Sequence, residues 1–321
     1  MNRLCLTLLI YLATSVGLLA PTAHAWGCKG HIVTALIAEK YINPNAWAMI
    51  SQIQDAAPIS SDLSRYCKET VGDPFADSAT WADDERSVNP STSGWHFIDI
   101  PRGVTAGDLS QYCPESAGCI TKALADQLAL LRDPKTPAAK RADALRYVIH
   151  FVGDIHQPLH TTSNDDQGGN CVPVEFFGKP PVETNRQKES YQPNLHSIWD
   201  TGLLAQFAGE RTLQQLADEF DSKFRTQISG WQSGTLDPQA WAWEGHEVAE
   251  RVVYGFLPNK VAIESPREVK SCADDDHIAR RMLNLNEKID DDYENATAPV
   301  VEEQLTKAGI RLAAILNQLW P

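Results

Sequence analysis

The chain has 321 residues, with 42 Asp or Glu against 28 Lys or Arg, for a formal net charge of −14 with His neutral. That balance excludes a broad basic face of the kind that holds duplex nucleic acid electrostatically. An anionic ligand would have to be drawn locally, by metal ions or by a few Arg and Lys side chains. The length suits one large domain or two small ones, with ample material for a core.

Residues 1–25 read as a targeting segment rather than as part of the fold. Arg3 supplies a positive start, Leu4 to Ala20 is largely apolar, and Ala23-His24-Ala25 is a small-x-small cleavage signal. With no later stop-transfer stretch, cleavage before Trp26 and a secreted or periplasmic protein are expected. Seven cysteines become six once Cys5 leaves, an even number that suggests disulfides in an exported chain. Cys113 and Cys119 bracket a short loop and can pair directly. The partners of Cys28, Cys67, Cys171 and Cys272 are not readable, and without a C-x-x-C pair thiolate metal binding is disfavoured.

Helical periodicity dominates the rest. Gly30 to Tyr41 is periodic in Ile32, Leu36 and Ile37, with Pro44 closing it, and Trp47 to Gln54 suggests a short second helix. Residues 57–80 are rich in Ser, Pro, Gly and Asp and read as a long loop, with Trp81–Arg86 and Trp95–Ile100 as loop edges. Ile120 to Arg132 is helical, ending before Pro134. Pro137 opens the next helix, whose apolar stripe is Ala142, Leu145, Ile149 and Val152. Residues 161–193 are turn-rich, with a hairpin expected near Val172 to Phe177. Leu195–Phe207, Thr212–Gln227, Trp241–Tyr254, Asp276–Lys288 and Val301–Leu319 predict further helices. With no internal repeat and no dividing linker, residues 26–321 read as one mainly α domain with long active-site loops. No heptad or edge-strand signal points beyond a monomer.

The densest chemistry is Y-V-I-H-F-V-G-D-I-H-Q-P-L-H, Tyr147 to His160. His150 and Asp154 are four apart and share a helical face, so both can reach one ion. Pro158 bends the chain before His160, turning that ring toward a second ion. His196 and Asp200 repeat the i, i+4 spacing in N-L-H-S-I-W-D. His31 starts the first helix, and Asp83 and His96 each follow closely on a Trp. Imidazole and carboxylate ligands without thiolates suit catalytic Zn²⁺. His156 reads as core or as support for a ligand. His246 and His277 read as surface residues, the Asp274–Asp276 run as a solvated charge cluster, and Asn295-Ala296-Thr297 as a glycosylation sequon.

In order along the chain, Trp26-Gly27, G-H, W-A-D, W-H-F-I-D, H-F-V-G-D-I-H-Q-P-L-H, G-G-N and N-L-H-S-I-W-D resemble the zinc-dependent single-strand nucleases of the mung bean nuclease type, which also act as 3′-nucleotidases. The resemblance implies three zinc ions: one on Asp83, His96, His150 and Asp154; a close second on His31, bridging Asp154 and the Trp26 terminal amine and carbonyl; a more open third on His160, His196 and Asp200. It implies a helical fold related to zinc-dependent phospholipase C. It further implies Asp83 orienting the attacking water, Arg86 stabilising phosphoryl charge, and Phe97, Asp99 and Asn170 binding an unpaired base, with 5′-phosphorylated fragments as products. Single-stranded nucleic acid and 3′-nucleotides are the expected partners, without stable membrane association. A phospholipase C is the nearest rival enzyme, against which stand Asp200, G-G-N and the Phe97/Asp99 pair. A non-catalytic zinc-binding secreted protein is the rival of another class, and such a protein has no need of Arg86 or Asn170.

Overall fold

Twelve of the seventeen residues of helix Ala138–Asp154 are buried, among them every residue of its C-terminal half. A helix buried on every side must lie in the centre of a molecule rather than on its face. In the computed structural model of the protein, which describes residues 26–266, 270–274 and 276–321, this central helix packs against Ile120–Arg132, Pro44–Ala56 and the 29-residue C-terminal helix Asp291–Leu319. The C-terminal helix also covers the N-terminal helix Gly27–Glu39, which in turn meets Leu213–Lys223. The expected signal segment, residues 1–25, lies outside the described residues, as does Asp275 of the Asp274–Asp276 run. Among the described residues no helix is long and apolar enough to cross a membrane.

The mainly helical reading holds, and the differences from expectation have local causes. Pro44 opens the second helix instead of closing the first, with the Asn43 side chain accepting the Ala46 N–H as N-cap. Trp81–Arg86, expected as a loop edge, belongs to helix Trp81–Val88, whose first turn carries Asp83 and Asp84 where acids are favoured. The long loop before it contains a helical turn, Pro74–Asp77, capped by Asp73. The C-terminal helix starts ten residues before the expected Val301, because Asp290 caps it and Pro299 is accommodated inside. Asn295 of the sequon is exposed on this helix, while Thr297 is buried and donates to Tyr293 O.

No hairpin forms at Val172 to Phe177. Glu175–Phe176 pairs in parallel with Lys288–Ile289, and the antiparallel hairpin lies further on, Val182–Asn185 with Ser190–Gln192. Pro180 and Pro181 intervene, and proline has no N–H for a ladder, so antiparallel pairing begins only after them, at Val182. Three disulfides tie the loops: Cys28–Cys67, the expected Cys113–Cys119, and Cys171–Cys272.

Candidate active site

Five segments place imidazole and carboxylate side chains in the interior, the first four of them converging on one group. The N-terminal helix supplies His31, and the central helix supplies His150 and Asp154. Helix Trp81–Val88 supplies Asp83, the turn Pro90–His96 ends on His96, and the turn Pro158–His160 ends on His160. The helical spacing of His150 and Asp154 closes Nε2 to Oδ2 at 3.2 Å, and His96 Nδ1 reaches the same oxygen at 3.0 Å. His31 Nε2 lies 3.2 Å from the other oxygen, Oδ1, and Asp83 Oδ1 is 3.8 Å from both His96 and His150. Asp154 therefore faces imidazoles through both carboxylate oxygens. His31 gets this close because it lies against Gly153, where a Cβ would sit 2.7 Å from its Nδ1; only glycine leaves that room.

A separate group forms from His160, His196 and Asp200. His196 Nε2 is 3.2 Å from Asp200 Oδ2, His160 Nε2 is 3.9 Å from Asp200 Oδ1, and Gln157 donates to Asp200 Oδ1 at 2.6 Å. The i, i+4 pair survives although the helix widens to a π turn over Ile198–Gly202, a local expansion found disproportionately at functional sites. Ligand atoms of three sets converge within 4.8 Å: His31, Asp83 and His150; His96, His150 and Asp154; His160, His196 and Asp200.

Ring hydrogen bonds decide whether these sets suit a metal. His150, His160 and His196 each turn Nδ1 to a main-chain oxygen, of Ala79, His96 and Gly168, all at 2.7 Å. An Nδ1–H held in this way leaves Nε2 of the neutral ring as a lone pair. Those lone pairs point at carboxylates, and two acceptors facing each other need a cation between them. His160 Nε2 is buried with no hydrogen-bond partner. On His150 a proton can serve as that cation: burial disfavours the charge, yet Asp154 and Asp83 outweigh it and raise the pKa to about 9, whereas burial pulls His96 down to about 4 against its bond with Asp154. Burial likewise lowers His31 and His160. The donor set, all nitrogen and oxygen, fits zinc-like ions.

The substrate side follows from a period of two. Phe97 is extended (φ −151°, ψ 172°), so the W-H-F-I-D-I run alternates: His96, Ile98 and Ile100 are buried, Phe97 and Asp99 point out. Phe97, 38% exposed, is thus not a core residue. Both line a cleft of about 410 Å³ together with Arg86, Asn170, His160 and His196, so the cleft opens onto the second group. Burial in the cleft and the Asp166 carboxylate push Asp99 up to about 6. Arg86 Nη2 sits 3.1 Å from Asp83 Oδ1, and Asn170 Nδ2 donates to Gln167 O at 2.8 Å.

Trp26 is fully buried, its carbonyl accepts the Gly30 N–H at 3.1 Å, and the residue after it packs against Asp200 and Thr201. His246, expected at the surface, is buried between Thr162 and the Val104 carbonyl, because Trp241 and Ala242 on its helix turn that face inward. His277 is exposed, beside Glu189. His156 hydrogen-bonds Val152 O and Arg311 away from the cluster, as a core residue. Gln157 and Asp166 carry no signal in sequence beyond lying beside ligand motifs.

The fold and the site define a mainly helical protein whose His and Asp side chains form metal-binding groups at the end of a cleft. Residues 26–321 match the S1/P1 Nuclease family, and the chain belongs to it; it is a hydrolytic nuclease acting on nucleic acid. The chain is similar to Nuclease S1 of Aspergillus oryzae, at 29% identity over 93% of both chains. It is similar also to Nuclease P1 of Penicillium citrinum, at 27% over 92% of this chain and 97% of the relative. Endonuclease 2 of Arabidopsis thaliana shares 25% over 94% and 92%.

Proposed function

We propose that the protein is an exported phosphodiesterase that uses three zinc ions to cut single-stranded DNA and RNA into 5′-phosphorylated products and to remove phosphate from 3′-nucleotides. Residues 26–321 act as one domain and as a monomer, freed by cleavage before Trp26 and working without stable membrane association. Asp83, His96, His150 and Asp154 would hold one zinc. His31, Asp154 and the Trp26 amine and carbonyl would hold a second, and His160, His196 and Asp200 a third. Bound zinc supplies positive charge for phosphoryl oxygens and water acidic enough to attack near neutral pH.

The chain's own groups do the rest. Arg86 presents guanidinium donors at the cleft and neutralises charge growing on the phosphoryl group. Asp83 orients the attacking water by accepting a hydrogen bond from its O–H. Phe97 stacks a base whose polar edge Asp99 and Asn170 contact, and a base paired in a duplex cannot offer both its face and its edge. Single-strand preference then follows from the cleft, without need of a basic surface. The observation that carries this reading is that Phe97 and Asp99 share one cleft with His160 and His196.

The test uses zinc-loaded protein beginning at Trp26, incubated with single-stranded DNA, matched duplex, a 3′-nucleotide and a phosphatidylcholine analogue, each with and without chelator. Chelator-sensitive cleavage of the single strand and the 3′-nucleotide is expected. Lipid cleavage alone would transfer the protein to phospholipase chemistry, and full zinc occupancy with every substrate intact would leave a binding protein.

A further inference from the structure

The cleft wall from Asn164 to Asn170 has neither helix nor strand to hold it. Asn164 ties one end to Ala262 O and Glu264 N, the Cys171–Cys272 disulfide follows the other, and one carboxylate holds the middle from behind. Asp166 is fully buried, and its Oδ1 accepts the main-chain N–H groups of Asn164 (3.1 Å) and Gly169 (2.9 Å). Its Oδ2 accepts the Tyr254 hydroxyl at 2.8 Å. Tyr254 is 4% exposed and lies under the Arg102 guanidinium, 4.2 Å from the ring centre. Arg102 is itself anchored on Glu250 (3.3 Å) and the Val261 carbonyl (3.2 Å). Its N–H donates to Ser163 O at 3.0 Å, joining the other cleft wall to the same network.

The peptide units fixed by Asp166 have two clients. Gly168 O accepts His196 Nδ1–H at 2.7 Å and Gly169 O accepts the His196 main-chain N–H at 3.3 Å. Asn170 follows directly and faces the cleft. Neither Asp166 nor Tyr254 lines that cleft.

We propose that Asp166 and Tyr254 are positioning residues that hold Asn170 for the base and His196 for the His160/Asp200 metal group through one shared loop. The substrate half of this inference rests on the function proposed above; the metal half does not. The role is one of hydrogen-bond geometry. Asn at position 166 keeps a carbonyl for the two backbone donors and can donate its amide to the Tyr254 oxygen, whereas Ala keeps nothing.

The test compares wild type with Tyr254→Phe, Asp166→Asn and Asp166→Ala. KM and kcat are measured on a 3′-nucleotide at saturating zinc, and zinc release is followed in a graded chelator titration. For Tyr254→Phe the expected result is a KM raised roughly three- to tenfold, the worth of one lost hydrogen bond, with kcat nearly unchanged. The most weakly held zinc should leave at several-fold lower chelator. Asp166→Asn should fall near wild type and Asp166→Ala beyond Tyr254→Phe; should Ala fail to fold, the other two variants decide. A Tyr254→Phe protein with a lowered melting temperature but unchanged KM and zinc release would reduce the pair to structural support and overturn the proposal. Wild type that binds zinc but ignores 3′-nucleotides would refute the function while the zinc titration still judges the positioning role.

Discussion

Phe97 exposes its ring because the buried residues on either side, His96 and Ile98, force it outward. Base–aromatic stacking contributes about 1–3 kcal/mol per base, so Phe97→Ala should raise KM for single-stranded substrates roughly tenfold while zinc content stays at the wild-type value. Unchanged KM would remove the ring from substrate binding. Gly168 adopts φ +59°, and a Cβ there would lie 2.5 Å from the Leu159 carbonyl. Gly168→Ala should therefore melt several degrees lower, as left-handed strain of about 1–3 kcal/mol implies, and should lose affinity for zinc because the Gly168 carbonyl orients His196. At this scale the sequence spoke clearly where a period carried the information. His150 with Asp154 and His196 with Asp200 were legible as pairs because four residues make about one helical turn. Asp166 and Gln157 were not, since their work depends on the placement of Tyr254 and Asp200, which are distant in sequence.

Glu39 shows what an element boundary can store. It ends the N-terminal helix half-buried, and burial together with the neighbouring Asp73 raises its pKa to about 8, from 4.5. Between those two values the folded protein keeps a proton that the unfolded chain has released, so stability falls as pH rises through that window. Glu39→Gln cannot titrate. Thermal melts at pH 5 and pH 8 should show a larger loss for wild type than for the variant; parallel losses would place the pH sensitivity elsewhere. Helix ends are also where local periodicity carries least information. Pro44 looks like a stop in one dimension, yet it follows an Asn43 cap and opens a helix, while the helix expected from Val301 begins earlier, on an Asp290 cap, and carries Pro299 inside. Helix Ile120–Arg132, bounded by its own apolar stripe and Pro134, needed no tertiary information and matched in full.

For the molecule as a whole, metal held between the buried carboxylates and the rings facing them would couple binding to folding. Each site filled at a hundredfold excess over its dissociation constant adds about 2.7 kcal/mol. Exhaustive chelation should thus lower the melting temperature markedly, and zinc should restore it; a melting temperature indifferent to both would sink the metal reading of all three groups. The global topology, with the N- and C-terminal helices packed together across the chain, could not be read from local periodicity, because nothing local specifies which faces meet.

The disulfides bear on the order in which this protein can be assembled. Cys28, bonded to Cys67, precedes His31 by three residues, and Cys171, bonded to Cys272, follows Asn170 directly. In a reduced, unfolded chain the same six sulfurs are soft thiolates, which hold zinc in preference to oxygen donors. Metal offered before oxidation would be captured by these thiolates and would block the crosslinks beside its proper sites. Oxidation first and metallation second is the order that avoids this competition. Refolding the reduced chain with zinc supplied only after disulfide formation should give the higher yield of active protein, and an equal yield with zinc present from the start would show that the two steps do not compete.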